Sequence, residues 1–141
     1  MTEIHNPILI ELNKHEKIND EHDLEVALLA RLKSFFNQLG EGFTLVGNQY
    51  KIIYKGKTNY IDILLFNYKI NSFVVVELKV RELKSTDKGQ IELYMKAVDE
   101  TLKMPIHNKT IGILITKKQE KIIAEFIGSY NIIPLTYEIN S

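Results

Sequence analysis

Tyr60-Ile61-Asp62-Ile63-Leu64-Leu65-Phe66, followed by Phe73-Val74-Val75-Val76-Glu77-Leu78-Lys79-Val80, reads as two adjacent strands with charges set into apolar runs. Charged side chains are almost never fully buried unless they are paired or bind a metal. With the intervening turn centred between Lys69 and Ile70, Asp62 faces Glu77 across a hairpin. Directly opposed side chains hold their Cβ atoms about 4.5–5.5 Å apart. Two ionised carboxylates at that distance repel by roughly 3 kcal/mol at an effective dielectric of about 20. A shared proton, a cation or an amine must offset this. Glu77 and Lys79 are two residues apart on one strand and share a face, so Lys79 lies beside the acidic pair. Oxygen ligands on a rigid sheet suit Mg²⁺, which takes one or two carboxylates plus waters and phosphate oxygens. Such an acid pair, with a lysine to position water or to stabilise charge on phosphorus, is a kit for phosphodiester hydrolysis. The same pattern is compatible with a buried acid–lysine pair that has no catalytic role.

Outward from this hairpin, residues 43–54 alternate loosely and are rich in β-formers, which predicts a strand with a bulge at Gly47. Lys55-Gly56-Lys57 predicts a hairpin turn, residues 59–67 the second strand and residues 72–80 the third. Upstream, Leu24, Ala27, Leu28, Leu32, Phe35, Phe36 and Leu39 recur at helical spacing. They predict one helix over 24–39, capped by Asp23 and ended by Gly40 and Gly42. Downstream, Ser85 or Thr86 can cap a helix over 87–103 whose stripe is Ile91, Tyr94, Met95, Val98 and Leu102, with Pro105 past its end. A short strand is expected over 110–116, a helix over 118–126 and a last strand over 132–137. The order is helix, three strands, helix, strand, helix, strand. The first three strands form a meander, and the fourth, reached through a crossover helix, runs parallel to one of them. This is an α/β domain with a mixed sheet flanked by helices. Residues 1–22 read as an acidic arm or linker with room for a short helix, and residues 23–141 as the domain.

A chain of 141 residues is one domain by length. It has no cysteine, which excludes disulfides, thiolate zinc sites and cysteine nucleophiles and fits a cytoplasmic location. The start lacks a secretory signal, and the longest apolar runs fall short of the ~20 residues that span a bilayer. Formal charge is zero, yet it is segregated. Residues 1–25 carry net −5, and residues 43–96 carry net +4 around the Asp62, Glu77 and Lys79 cluster. A solvated surface and a local basic face for a polyanion both fit.

Asp62 with Glu77-Leu78-Lys79 matches the Asp…Glu-x-Lys signature of the PD-(D/E)XK nuclease superfamily. The longer run of Gly42-Phe43, Val46-Gly47-Asn48-Gln49-Tyr50, Tyr60 to Phe66, Val75 to Lys79 and Gly89-Gln90…Tyr94 resembles the C-terminal nuclease domain of the bacterial YhcG-like family. So does Asp23-Leu24-Glu25…Ala27-Leu28. The resemblance covers about residues 8–138 and implies a restriction-endonuclease-like fold of core order α-β-β-β-α-β. It implies that Asp62 and Glu77 are metal ligands for Mg²⁺, with Mn²⁺ as a substitute, and that Lys79 is the catalytic lysine. It implies that Gln90 orients the lysine, a water or the substrate, and that Glu25 is an outer acid of the metal site. Ile61 stands where the superfamily name has proline. Larger relatives carry a helical N-terminal domain, so a targeting domain or partner outside this chain is expected. A standalone enzyme, an excised fragment and a remnant all stay open.

The remaining candidates are weaker. His5, His15, His22 and His107 have no metal-ligand spacing and read as surface. Gly40-Glu41-Gly42 is no phosphate loop, because no lysine and hydroxyl residue follow at P-loop spacing. Tyr94 shares a helix face with Gln90 and reads as core or groove wall. Tyr50, Tyr54, Tyr60 and Tyr68 read as sheet surface, with base stacking the alternative. The leading function is a metal-dependent nuclease acting on DNA, with RNA and branched DNA left open. The alternative is an inactive module of the same fold that binds nucleic acid or a protein. Lys55, Lys57, Arg81, Lys84 and Lys88 are expected to contact the nucleic acid, with the acidic arm directed away. No membrane contact is expected, and a homodimer is left open.

Overall fold

The computed structural model describes residues 9–12, 17–117 and 131–139. In chain order the elements are β1 (Leu9–Leu12), α1 (Glu21–Ala30), α2 (Leu32–Leu39), β2 (Phe43–Tyr54), β3 (Lys57–Asn67), β4 (Ser72–Leu78), α3 (Thr86–Thr101), β5 (Ile111–Lys117) and β6 (Ile132–Ile139). One mixed sheet runs in the order β1-β6-β5-β4-β3-β2. The β2–β3–β4 meander is antiparallel, and β5 joins β4 in parallel after the α3 crossover, as the patterns predict. The helix expected over 118–126 lies outside the described residues.

Alternating side chains give the sheet two apolar faces. Ile63, Leu65, Val74, Val76, Ile113 and Ile115 pack under Leu24, Ala27, Leu28, Phe35 and Leu39 of α1 and α2. Ile52, Tyr54, Ile61, Leu64, Val75 and Leu114 pack under Ile91, Tyr94, Met95, Ala97 and Val98 of α3. The α3 layer sits close because β5 carries Gly112. A Cβ there would come within 2.7 Å of Met95 Sδ and 2.9 Å of Ile91 Cδ1. At the far end of β2, Tyr54 pairs with Lys57, and Lys55 (φ 50°) and Gly56 (φ 75°) make the two-residue turn. Two positive φ values in succession match the right-handed twist of the flanking strands. The expected bulge is present as a register shift between Leu45 and Gly47.

Several local expectations are corrected. The single helix over 24–39 is two helices broken at Arg31, whose ψ of 52° is not helical. The break re-aims α2 so that Phe36 packs against Phe43, with ring centroids 5.9 Å apart. Asp20, not Asp23, is the N-cap: its Oδ1 accepts the Asp23 N–H at 2.8 Å, while Asp23 Oδ2 accepts that of Asn19 at 3.0 Å. Leu9–Leu12, in the stretch read as an arm, is an edge strand pairing in parallel with β6. His107 is half-buried against the edges of Phe66 and Phe73.

The start of α3 is also built differently. Ser85 occupies the cap position without a side-chain bond. Asp87 reaches back instead, its Oδ2 accepting the Lys84 N–H at 2.8 Å. Asp87 is buried, and Arg81 grips both of its oxygens, Nη1 at 3.0 Å and Nη2 at 2.7 Å. The Arg81 guanidinium, expected on nucleic acid, makes a bidentate ion pair with this buried carboxylate while its own side chain stays partly exposed. Breaking a buried pair costs about 3–5 kcal/mol, and the half-exposed arginine reduces that. Arg81→Met is expected to destabilise the protein by about 1–3 kcal/mol in urea unfolding, because it strands the Asp87 carboxylate. A variant as stable as the parent would show that the pair contributes nothing.

Candidate active site

The β3–β4 ladder has the register predicted from the turn, from Asn67↔Ser72 through Ile63↔Val76. It ends one pair short of Asp62 and Glu77. There Asp62 Oδ2 accepts the Leu78 N–H at 2.9 Å, so a side chain replaces a strand carbonyl and the two strands part. The carboxyls still meet, since Glu77 hydrogen-bonds to Asp62. Glu77 is only 4% exposed. Burial, then the hydrogen bond to Asp62 and the charge of Asp62, push its pKa up to about 9; Lys79 pulls it down and Asp87 pushes it up. Those causes favour the protonated acid, so without a metal Glu77 holds its proton to a higher pH than a free glutamate does. The Lys79 N–H bonds to Ile115 O at 2.9 Å, which holds the residue beside β5. Its ammonium acts electrostatically on both Glu77 and Asp87.

Glu25 enters from α1 and is buried at 3% exposure. Its oxygens accept from Asn48 Nδ2 at 3.2 Å and from Gln49 Nε2 at 2.6 Å. The same Gln49 amide donates to Asp62 Oδ1 at 3.2 Å. One amide thus ties the helix acid to the strand acid. Gln49 has φ 44°, in the left-handed region, where non-glycine residues are uncommon and which costs of order 1–3 kcal/mol when the surroundings impose it. Gln49 and Asn48 were not singled out as site residues. The signal was weak, because β2 alternates loosely and carries other polar residues such as Thr44 and Lys51.

From the other layer, Tyr94 rises out of the α3 core with its hydroxyl toward the acids. Burial raises its pKa most, followed by the charge of Glu77; Gln90 opposes the shift, and Asp62 adds to it. Gln90 Nε2 donates to that hydroxyl at 3.3 Å, so Gln90 adjoins the site through Tyr94. The acidic segment does not turn wholly away. Glu21 Oε2 accepts the Val80 N–H at 2.9 Å, one residue past Lys79. Lys84 and Lys88 flank the α3 start. Lys55 and Lys57 lie at the β2–β3 tip, Lys57 about 17 Å along the strand from Asp62.

The donors fit a hard divalent cation. Asp62 and Glu77 bring two carboxyls together, oxygen donors of the kind such a cation takes. Among the described residues, no three histidine, aspartate or glutamate side chains form a closed cage. Two carboxylates leave the other positions to water and substrate oxygens, as Mg²⁺ prefers. The model of the YhcG PDDEXK nuclease domain matches residues 1–133. The chain belongs to this family. A protein of Escherichia coli (strain K12) named "Putative nuclease YhcG" is 29% identical over 112 residues, which is 79% of this chain and 30% of that protein. The chain thus spans less than a third of that relative's length. Among solved structures, a repair endonuclease from Pyrococcus abyssi superposes with a TM-score of 0.53 at 17% identity, over 85% of this chain and 45% of that one. That likeness bears on the fold, which is restriction-endonuclease-like. No helix among the described residues is long and apolar enough to cross a membrane.

Proposed function

We propose that this domain is a divalent-metal-dependent nuclease that hydrolyses DNA phosphodiester bonds in the cytoplasm. The observation that carries the reading is the meeting of the buried Glu77 carboxyl with Asp62, which is anchored on the Leu78 N–H, beside Lys79, in a chain of the YhcG PDDEXK family. Asp62 and Glu77 would hold Mg²⁺, or Mn²⁺ in its place. When bound, the ion supplies polarisation of the phosphate and an acidified water. Lys79 contributes a fixed positive charge where negative charge grows on phosphorus, and a donor that orients the attacking water. Gln49 holds Asp62 in place, and Glu25 holds Gln49. Gln90 and the Tyr94 hydroxyl line the side of the site under α3. The deciding experiment is cleavage of duplex, single-stranded and branched DNA and of RNA, with Mg²⁺, with Mn²⁺ and with chelator. Metal-dependent cutting of DNA is expected; no cutting of any substrate with either ion overturns the reading.

Replacing Gln49 by Leu should lower single-turnover cleavage about 10- to 100-fold, the usual effect of removing a group that orients a metal ligand. It should weaken metal affinity in parallel. Unchanged affinity and rate would leave the Glu25–Gln49–Asp62 chain without a catalytic part.

Charge reversal at Lys84 or Lys88 should weaken DNA binding and flatten its salt dependence, because each neutralised phosphate releases counterions. Reversal at Lys55 or Lys57 should do the same if the hairpin tip touches the backbone. Six to ten phosphate contacts lose roughly 10³–10⁵ in affinity between about 50 and 200 mM salt. Binding indifferent to salt over that range would argue against a nucleic-acid substrate.

A further inference from the structure

The β2–β3 hairpin extends past the helical layer on one of its faces. Ile52, Tyr54 and Ile61 are buried on the α3 side. Strand alternation puts Lys51, Ile53, Thr58 and Tyr60 on the opposite face. That face is open: Ile53 is 58% exposed, Tyr60 is 52% exposed, and Lys51 and Thr58 are exposed as well. Lys51 stands directly across from Tyr60 in the register. From Gln49 to Ile61 the chain carries Lys51, Lys55 and Lys57 and no acidic residue. Gln49, two residues before Lys51 and at a left-handed φ, sends its side chain to Glu25 and Asp62. The open face therefore ends beside the acidic site. Tyr60 is two residues from Asp62 on the same strand, about 7 Å along it, close to the length of one extended nucleotide.

Resting on the nuclease reading, we infer that this face is a platform for a single-stranded segment of the substrate, on which Tyr60 stacks the unpaired base next to the phosphate held at Asp62. Three features select this occupant. A half-exposed aromatic beside a lysine offers stacking and charge together, which is the pairing that single-stranded nucleic acid recognises. The lysine-only charge of the hairpin complements a polyanion. A base inside a duplex keeps both faces stacked on its neighbours and offers none to Tyr60, so the platform favours frayed, flapped or fully single-stranded substrates. Tyr54 and Tyr68, also read from the sequence as sheet surface, do not share this position. Tyr54 is buried, with its hydroxyl on Glu100 at 2.8 Å, and Tyr68 lies at the opposite end of β3.

The test uses the full chain carrying Asp62→Asn, so that binding is read without cutting. The probes are a single-stranded oligonucleotide containing 2-aminopurine and its matched duplex. Stacking on Tyr60 is expected to quench the single-strand probe on binding. Adding Tyr60→Ala should abolish the quench and weaken single-strand binding about 5- to 150-fold, with duplex binding changed less than twofold. Tyr60→Phe, which keeps the ring, should retain both quench and affinity, and melting temperatures should confirm that both variants fold. An unchanged single-strand affinity in Tyr60→Ala would falsify the platform while leaving the nuclease reading intact. An equal loss for both probes also overturns it. So does an effect on self-association in place of binding, which would assign the face to a second copy of the chain. Binding of neither probe by the Tyr60-bearing protein overturns the nuclease reading itself, and the platform with it.

Discussion

Asp62→Asn is expected to lower metal-dependent cleavage by roughly 10³-fold or more while leaving the metal-free protein as stable as before, or more stable. The substitution removes one ligand charge from the pair that would hold the cation. It also removes two causes that raise the Glu77 pKa, the hydrogen bond to Asp62 and the charge of Asp62. The local fold has means to survive. The asparagine carbonyl can still accept the Leu78 N–H that Asp62 Oδ2 takes at 2.9 Å. The bond from Gln49 at 3.2 Å is the contact most at risk, and one hydrogen bond contributes about 1 kcal/mol net. A site serving only as a buried ion pair predicts the reverse, a loss of about 3–5 kcal/mol from the stranded partner. Urea unfolding in chelator, beside a cleavage assay in Mg²⁺, separates the two. A strongly destabilised variant that still cuts would reject the catalytic reading.

The centre of this site was legible because strand periodicity makes a buried charge conspicuous. Asp62 and Glu77 stand out from apolar runs, and the short turn between them leaves one register that pairs the hydrophobic rows. The structure keeps that register and departs only at the acids, where a side chain takes over from the ladder. What stayed hidden depends on contacts distant in sequence. Nothing in residues 24–39 marks the break at Arg31; no glycine or proline stands there, and the break is visible only through the packing of α2 on Phe43. Gln49 adopts a left-handed φ that sequence propensity assigns to glycine or asparagine, and its side-chain bonds go to Glu25, 24 residues away, and to Asp62, 13 residues away. Arg81 read as a nucleic-acid contact because nothing in the sequence marks Asp87, six residues on, as its ion-pair partner. The short β1 strand has too few residues for a period to show and is held in place by β6 at the other end of the chain.

Glu77→Gln is expected to abolish the pH dependence at this site. Glu77 has its pKa raised to about 9 in the folded protein, against an ordinary 4.5. Between those values the folded state keeps a proton that the unfolded chain has released. The stability Glu77 contributes is then fully present below about pH 4.5 and is lost as pH rises toward 9, by at most about 1.4 kcal/mol per pH unit. Glutamine stays neutral throughout and removes that slope. The metal-free variant should therefore match the parent near pH 5 and melt progressively higher than the parent as the pH approaches 9. The groups acting on Glu77 are Asp62, Lys79 and Asp87, and all three remain in the variant, so the difference between the two melting curves isolates residue 77. Metal binding probes the same proton from the other direction. A divalent ion must displace it, so the parent's affinity should rise about tenfold per pH unit below 9, whereas the glutamine variant, short of one ligand charge, should bind weakly with little pH dependence. Melting curves that stay parallel from pH 5 to 9 would mean that Glu77 is ionised in the folded protein, and the shared proton that makes room for a cation would not exist.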